Sequence, residues 1–339
     1  MQSESPNNDL NDDFDVIVVG AGPIGLAAGI SLKRARLSYL IIEKGCVCNS
    51  IYHYPRFMNF FTRAKDLEIG GYPFPCPFSN CKPSRAEALA YYRGVTAKEQ
   101  LKIRLYEEIS HIDGTGGNFR VGSIDSLGHS HIYQTKKIII ATGYFDNPNL
   151  LEIEGENDPQ IASHYYTEGH PYFGMPVAVI GGGNSACEAA IDLYLHGANV
   201  HLIHRGNSID PKVKYWLRPD VENRIQDGEI IGFMNTEVKA IRPNTLFLKT
   251  PDKEFSLKVS YTFILTGYHS DGKFLKSLNL KFDKEGIVEL NSDTFESTRM
   301  GLYVIGSAGW GRITNKVFIE NGRAHAAIAV QHIRGQLDT

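Results

Sequence analysis

The chain is short of cysteine, has no excess of either charge, and lacks an unbroken apolar run long enough to cross a membrane. Five cysteines in 339 residues is an odd, low number, which excludes a disulfide-stapled secreted scaffold. Lys and Arg total 35 against 38 Asp and Glu, a net charge of −3 with no block of one sign. That balance offers no footprint for nucleic acid or an anionic membrane. The longest uncharged, apolar-leaning run, 16–32, is interrupted by Gly20, Gly22, Pro23, Gly25 and Gly29 and falls short of the ~18 residues of a membrane span. Residues 1–13 are polar and acidic, without the basic lead-in and apolar run of a signal peptide, and read as a disordered tail. The twelve histidines show no metal-ligand spacing. The expectation is a soluble cytoplasmic protein without a metal.

What is present is a core and an unusual supply of glycine. Hydrophobic residues make up 42% of the chain, and at ~150 residues per domain its length predicts two domains. A β-branched strand pattern at 14–19 runs into Gly20-Ala21-Gly22-Pro23-Ile24-Gly25, then a helical stretch at 24–36 and a strand at 38–43. This is a βαβ unit carrying G-x-G-x-x-G in the context that gives the motif meaning. The first glycine permits the tight turn, the second lets backbone approach a pyrophosphate, and the third lets helix and strand pack closely. Glu43, 23 residues after Gly20, ends the second strand, where a carboxylate accepts hydrogen bonds from an adenosine ribose.

The same grammar returns with a strand at 176–180, Gly181-Gly182-Gly183-Asn184-Ser185-Ala186, a helix at 185–197 and a strand at 199–204. At the matching offset stand His204 and Arg205 instead of an acid. A guanidinium there pairs with a 2′-phosphate, whereas a carboxylate repels it, so this site reads as NADPH through Gly181, Gly183, Asn184, Ser185, Ala186, His204 and Arg205. With acid behind one loop and base behind the other, the first loop reads as FAD, held by Gly20, Gly22, Pro23, Gly25 and Glu43. Two further strands rhyme, each ending in Thr-Gly-Tyr: one runs to Thr142-Gly143-Tyr144 and the other to Thr266-Gly267-Tyr268. A final strand at 301–306 and a helix at 318–334 return to complete the first domain. The fold class is therefore α/β with two Rossmann-like dinucleotide-binding domains. An FAD domain spans 14–148 and 270–339, and an NADPH domain spans 149–269. Helix N-termini supply positive potential at both loops, and Glu320 opens the last helix where it can face the flavin.

Several segments make the chain resemble the thioredoxin-reductase-like flavoproteins, and among them the YpdA-type bacillithiol disulfide reductases. They are Val19-Gly20-Ala21-Gly22-Pro23, Ile42-Glu43-Lys44-Gly45, Ile51-Tyr52-His53-Tyr54-Pro55, Ala88-Leu89-Ala90-Tyr91-Tyr92-Arg93, Ala141-Thr142-Gly143-Tyr144-Phe145-Asp146-Asn147-Pro148, Glu168-Gly169-His170-Pro171-Tyr172-Phe173 and Phe318-Ile319-Glu320-Asn321-Gly322-Arg323. The likeness covers about 14–333. It implies FAD and NADPH as cofactors, a homo-oligomer, and reduction of a low-molecular-weight thiol disulfide. It adds Lys44, Asn49, Tyr54, Thr142, Gly143 and Gly306 to the FAD expectation, agrees with Glu320, and adds Gly267 to the NADPH expectation. Three departures stand out. No C-x-x-C occurs, which sets the chain apart from thioredoxin reductase itself. Ile24 stands in the first glycine loop where YpdA-type enzymes carry cysteine, and Gly306-Ser307 replaces the usual Gly-Asp.

Cys46 and Cys48 follow Glu43 closely and are the candidate catalytic thiols, one to attack a disulfide and the other to resolve it; two small loop residues is the alternative. Cys76 and Cys81 have a C-x-x-x-x-C spacing, but they sit among Pro73, Pro75, Pro77 and Pro83 in a loop rather than at a helix start. Cys187 reads as core. Other enzymes share the two-loop plan: a ferredoxin- or flavodoxin–NADP reductase, and a flavin-dependent monooxygenase whose extended linker motif is not legible at 164–173. A nucleotide-binding redox sensor without turnover is the non-catalytic alternative.

Overall fold

A computed structural model of the protein describes residues 13–78 and 80–338. The expected tail at 1–13 lies outside the described residues except for Asp13, which instead begins a strand because its segment pairs with the neighbouring strand at Gln134.

The elements in chain order are β1 (Asp13–Val19), α1 (Pro23–Arg34), β2 (Tyr39–Glu43), α2 (Asn49–Tyr52), α3 (Arg85–Glu99), β3 (Ile103–Leu105), β4 (Glu107–Thr115), β5 (Asn118–Asp125), β6 (Ser130–Ile140), β7 (Ala162–Ser163), β8 (Pro176–Ile180), α4 (Asn184–Leu195), β9 (Asn199–Ile203), α5 (Arg218–Gln226), β10 (Ile231–Phe233), β11 (Glu237–Arg242), β12 (Thr245–Lys249), β13 (Glu254–Leu257), β14 (Tyr261–Ile264), α6 (Gly272–Ser277), β15 (Leu302–Val304) and α7 (Ile319–Leu337). One sheet has the order β3-β2-β1-β6-β5-β4, with β15 also pairing with β6. Its β1, β2, β3, β6 and β15 run parallel, while β4, β5 and β6 form an antiparallel meander. A second sheet, β10-β9-β8-β14-β7, is parallel throughout, and β11, β12 and β13 form a small antiparallel sheet.

Burial on both faces explains the near-continuous apolar strands. Val16 and Val18 point into a core with Leu26, Ile30, Tyr92, Ala329 and Ile333, whereas Ile17 and Val19 point into another with Phe119, Ile138 and Leu302. The second parallel sheet divides likewise, with Val177 and Val179 on one side and Ala178 and Ile180 on the other. α7 buries Gly322, Ala326, Ala329, Val330 and Ile333, a helical-period stripe of mostly small side chains that packs against α1. Ser84 and Glu87 form a capping box that starts α3, a device worth about 1 kcal/mol.

The chain crosses between the two parallel sheets twice, and the crossings are bonded to each other. Asn149 N–H donates to Gly267 O (2.9 Å), His269 N–H to Asn147 O (2.9 Å), and the Thr266 hydroxyl to Asn149 O (2.7 Å). No helix among the described residues is long and apolar enough to cross a membrane.

Candidate functional site

Both glycine loops open at the carboxyl end of a parallel strand, next to the strand that ends in Thr-Gly-Tyr. Gly20 N–H donates to Ile42 O and Ala141 N–H to Val19 O, each at 2.8 Å. In the second unit Gly181 N–H donates to Ile203 O (2.9 Å) and Leu265 N–H to Ile180 O (2.8 Å). Gly20 has φ +105° and Gly181 φ +144°, the left-handed side that favours glycine. A Cβ on Gly20 would lie 2.7 Å from Ala141 O. Gly25 and Ala186 do not line the cleft described below. A Cβ on Gly25 would collide with Gly20 O, and Ala186 is fully buried against Gly181, so both serve helix–strand packing.

The two loops share one cleft of about 1490 Å³. Its walls include Gly20, Gly22, Pro23, Glu43, Lys44, Asn49, Tyr54, Thr142, Gly143, Gly306 and Glu320 from the first group of predicted residues. From the second group it takes Gly181, Gly183, Asn184, Ser185, His204, Arg205 and Gly267. The structure thus brings together all of the predicted cofactor residues apart from the two packing positions.

Observations on this cleft bear on whether it fits a dinucleotide. Gly22 and Gly183 cap α1 and α4 without a side-chain acceptor, and neither helix has an acid in its first turn. The first-turn N–H groups are therefore available to an anion. At Gly22 and at Gly183 a Cβ would meet nothing within 4 Å, so each loop borders open space. Thr142 Oγ1 and Asn149 Oδ1 are buried polar atoms on the cleft wall with no partner in the protein, a state that costs about 1–3 kcal/mol unless a ligand satisfies it. The donor set fits a bound flavin and pyridine nucleotide.

The acid and the base differ sharply. Glu43 is buried, its Oε2 accepting from Ala21 N–H (2.7 Å) and its Oε1 from Gly45 N–H (2.8 Å), and burial raises its pKa. Arg205 is exposed. His204 packs its ring against Gly182, where a Cβ would come within 2.5 Å, and its pKa is lowered by burial and by the adjoining Arg205. Lys44 pairs with Asp146 at 3.0 Å, and Asn184 Oδ1 accepts from Lys214 N–H at 2.9 Å, so both also brace the wall.

Tyr54 stands edge-on to Phe145 at 4.8 Å, and Phe145 contacts Tyr268 (4.7 Å) and Tyr165 (5.4 Å). Burial raises the pKa of each of these tyrosines, that of Tyr165 to about 12. This neutral aromatic cluster covers the double crossing. Arg56 pairs with Glu168 (3.2 Å) and its N–H donates to Thr167 O (2.9 Å), a second tie between the units.

The cysteines separate into three situations. Cys48 is fully buried and Cys46 half-buried; burial raises the pKa of both, that of Cys48 far above the ordinary value, so neither is activated as a thiolate. Cys48 reaches the cleft wall and Cys46 does not. Cys187 is buried in α4 with a pKa pushed up to about 12, as a core residue should be. Cys76 and Cys81, which the loop setting left unassigned, are joined as a disulfide.

Two contacts were not read from the sequence. Thr62 donates to Glu320 Oε1 (3.1 Å), and His325 Nδ1 accepts from Gly306 N–H (3.3 Å), fixing a residue at φ +65°. Gly306 and Gly322 approach each other closely there, a Cβ on Gly322 lying 3.5 Å from the Gly306 Cα. Ile24 packs on both, a Cβ on Gly306 lying 3.2 Å and one on Gly322 3.3 Å from its side chain.

Residues 17–306 match the family described as Pyridine nucleotide-disulphide oxidoreductase. The chain is 39% identical over 311 residues to the bacilliredoxin reductase Bdr of Bacillus subtilis (strain 168), covering 91% of this chain and 94% of that protein. The solved bacillithiol disulfide reductase Bdr (YpdA) from Bacillus cereus superposes with a TM-score of 0.91 at 37% identity, covering 96% of this chain and 99% of that one. Its counterpart from Staphylococcus aureus gives 0.89 at 35%, again over 96% and 99%.

Proposed function

The chain belongs to the pyridine nucleotide-disulphide oxidoreductase family, and from that premise we propose that it uses NADPH and FAD to reduce a low-molecular-weight thiol disulfide of the bacillithiol disulfide type. The overall reaction balances as NADPH, a proton and one disulfide giving NADP⁺ and two thiols. The observation that carries the reading is the single cleft that joins a glycine loop backed by a buried carboxylate to one backed by an exposed guanidinium. A bound flavin supplies the relay of an electron pair between a nicotinamide and a disulfide.

The chain's own residues prepare that relay. The N-terminus of α1 and the Gly20 and Gly22 backbone receive a pyrophosphate, and Glu43 accepts from ribose hydroxyls. Thr142 and Asn149 offer their unpartnered oxygens to the bound group, while Gly143, Gly306 and Glu320 border it. Gly181, Gly183 and Ser185 with the N-terminus of α4 receive the second pyrophosphate, and Arg205 pairs with a 2′-phosphate. The aromatic cluster of Tyr54, Phe145, Tyr165 and Tyr268 keeps water from the space between the sites. We assign 14–148 with 270–339 to the FAD unit and 149–269 to the NADPH unit. The protonated state of Cys46 and Cys48 supports direct reduction of the substrate over a route through those thiols.

The test is anaerobic titration of the flavin-loaded protein with NADPH, followed by one equivalent of bacillithiol disulfide. Bleaching by NADPH and recolouring by the disulfide is the expected result. Recolouring only by oxygen, a quinone, ferredoxin or an oxidised bacilliredoxin removes the small-disulfide assignment. Replacing Cys46→Ser together with Cys48→Ser should leave the recolouring intact; loss of it would restore the thiol route.

A further inference from the structure

The Cys76–Cys81 pair takes no part in the site described above, yet it lies at the end of a segment that builds the cleft wall. Phe60 N–H donates to Pro83 O (2.8 Å), Arg85 N–H to Met58 O (2.9 Å) and Ala64 N–H to Cys81 O (2.9 Å). These bonds zip residues 58–64 to 81–85. Along that zipper Met58, Phe60, Phe61 and Thr62 face the cleft, and Thr62 is the residue bonded to Glu320. The residue after Cys81 reaches the other unit: Lys82 Nζ sits 5.4 Å above the Trp216 ring. Trp216 also receives Lys214 at 5.8 Å, and Lys214 lies over Phe61 at 5.5 Å. The disulfide therefore anchors a wall segment that touches both halves of the cleft.

We propose that Cys76 and Cys81 form a reversible thiol–disulfide switch that sets the order of this wall, and that low-molecular-weight disulfides oxidise it. The Cα atoms are 6.5 Å apart, within bridging range, and both residues are half-buried rather than sealed in the core. A second, small cavity of about 180 Å³ borders Cys76 and is lined also by Lys65, Glu68 and Phe78. In the reducing direction two thiols break the bond. In the oxidising direction the Cys76 thiolate attacks the external disulfide, releasing one thiol and forming a mixed disulfide. The Cys81 thiolate then displaces the second thiol and closes the Cys76–Cys81 bond. The two protons lost by the cysteines end on the two released thiols, and the external disulfide is the two-electron oxidant.

The device gives feed-forward control. An oxidised pool closes the bond, ties Cys76 to Cys81 and braces Phe60, Phe61 and Thr62. A reduced pool frees Cys76, near which Phe78 is already 70% exposed, and slackens the wall. The identity of the physiological oxidant rests on the proposed function; the switch itself does not.

The experiment equilibrates the flavin-loaded protein in mixtures of glutathione and glutathione disulfide, then alkylates free thiols and weighs the peptides. Tryptophan emission and the KM for bacillithiol disulfide are read on the same samples. Cys76 and Cys81 should gain or lose their labels together, with emission following them. Replacing Trp216→Phe should remove that change, since Trp310 is the other of the two tryptophans. The KM should be about threefold or more higher in the reduced protein, as for a loosened positioning wall. The double variant Cys76→Ser, Cys81→Ser should hold the reduced value in every mixture. Labelling of both thiols in pure glutathione disulfide overturns the proposal, as does a pair that excess dithiothreitol leaves closed. An emission that ignores the state of the pair overturns it too. Should bacillithiol disulfide not be turned over at all, the functional reading fails while labelling and emission still decide the switch.

Discussion

The two glycine loops share a backbone and differ in what they are prepared to release. In the first unit the residue behind the second strand, Glu43, is buried and bonded to the loop's own amides at Ala21 and Gly45. In the second, Arg205 stands exposed on the rim, next to a histidine that packs on the loop. One loop is tied to its recognition residue before any ligand arrives; the other keeps recognition at the surface. That contrast suits a resident cofactor on one side and an exchanging one on the other, although the strands flanking each loop pair in the same register.

The largest break in this comparison should come from Gly25→Ala, whose methyl collides with Gly20 O. A loss of about 2–4 kcal/mol is expected, read as a fall in Tm and a protein purified without flavin. The converse change, Ala186→Gly, should cost about 1 kcal/mol and leave nucleotide binding intact.

Next in size is Glu43→Gln, which turns one bonded oxygen into a donor facing a backbone N–H. Flavin affinity should weaken by about 1–3 kcal/mol, measured by equilibrium dialysis. The pH dependence sharpens the contrast. Burial raises the Glu43 pKa, so the folded state prefers the neutral acid. Its contribution to folding is present below the ordinary value of ~4.3 and is lost as pH rises through the raised value. Ribose recognition runs the other way, because it needs the ionised form. Flavin retention should begin to fall on acidification while an ordinary carboxylate would still be charged, and Glu43→Gln should flatten that profile.

Arg205→Ala should raise the KM for NADPH about tenfold or more while leaving kcat and the KM for NADH nearly unchanged, since only a charge-assisted contact on the rim is lost. Thr62→Val is the smallest change. It removes one hydrogen bond to Glu320 and should shift Tm by the equivalent of about 1 kcal/mol or less, with flavin still bound.

The parallel cores were legible because burial on both faces writes itself into short runs such as Val16-Ile17-Val18-Val19 and Val177-Ala178-Val179-Ile180. The two glycine loops that meet in the cleft were legible because the fingerprints fix both identity and spacing. β6 was read from Lys137, yet it starts at Ser130. Its first half is half-exposed meander with alternating burial, and the apolar run begins only where it enters the parallel sheet. The meander of β11, β12 and β13 has the same weak pattern. The bonds from Thr62 to Glu320 and from Gly306 to His325 join distant parts of the chain through single polar atoms, which no local periodicity reports. Cys76 and Cys81 had a spacing but no partner segment until 58–64 was seen zipped against 81–85.

The double crossing has a consequence for how such a chain can be cut and rebuilt. Pro148 and Tyr268 pair as an antiparallel bridge, so the points where the chain leaves the first sheet and comes back to it are neighbours. Everything between them is joined to the first sheet along the chain through that one narrow ribbon alone, like a cassette inserted through a single slot. A join from 148 to 270 would delete the cassette without asking β6, β15 or α7 to move, and a foreign nucleotide-binding unit could be spliced in at the same two residues.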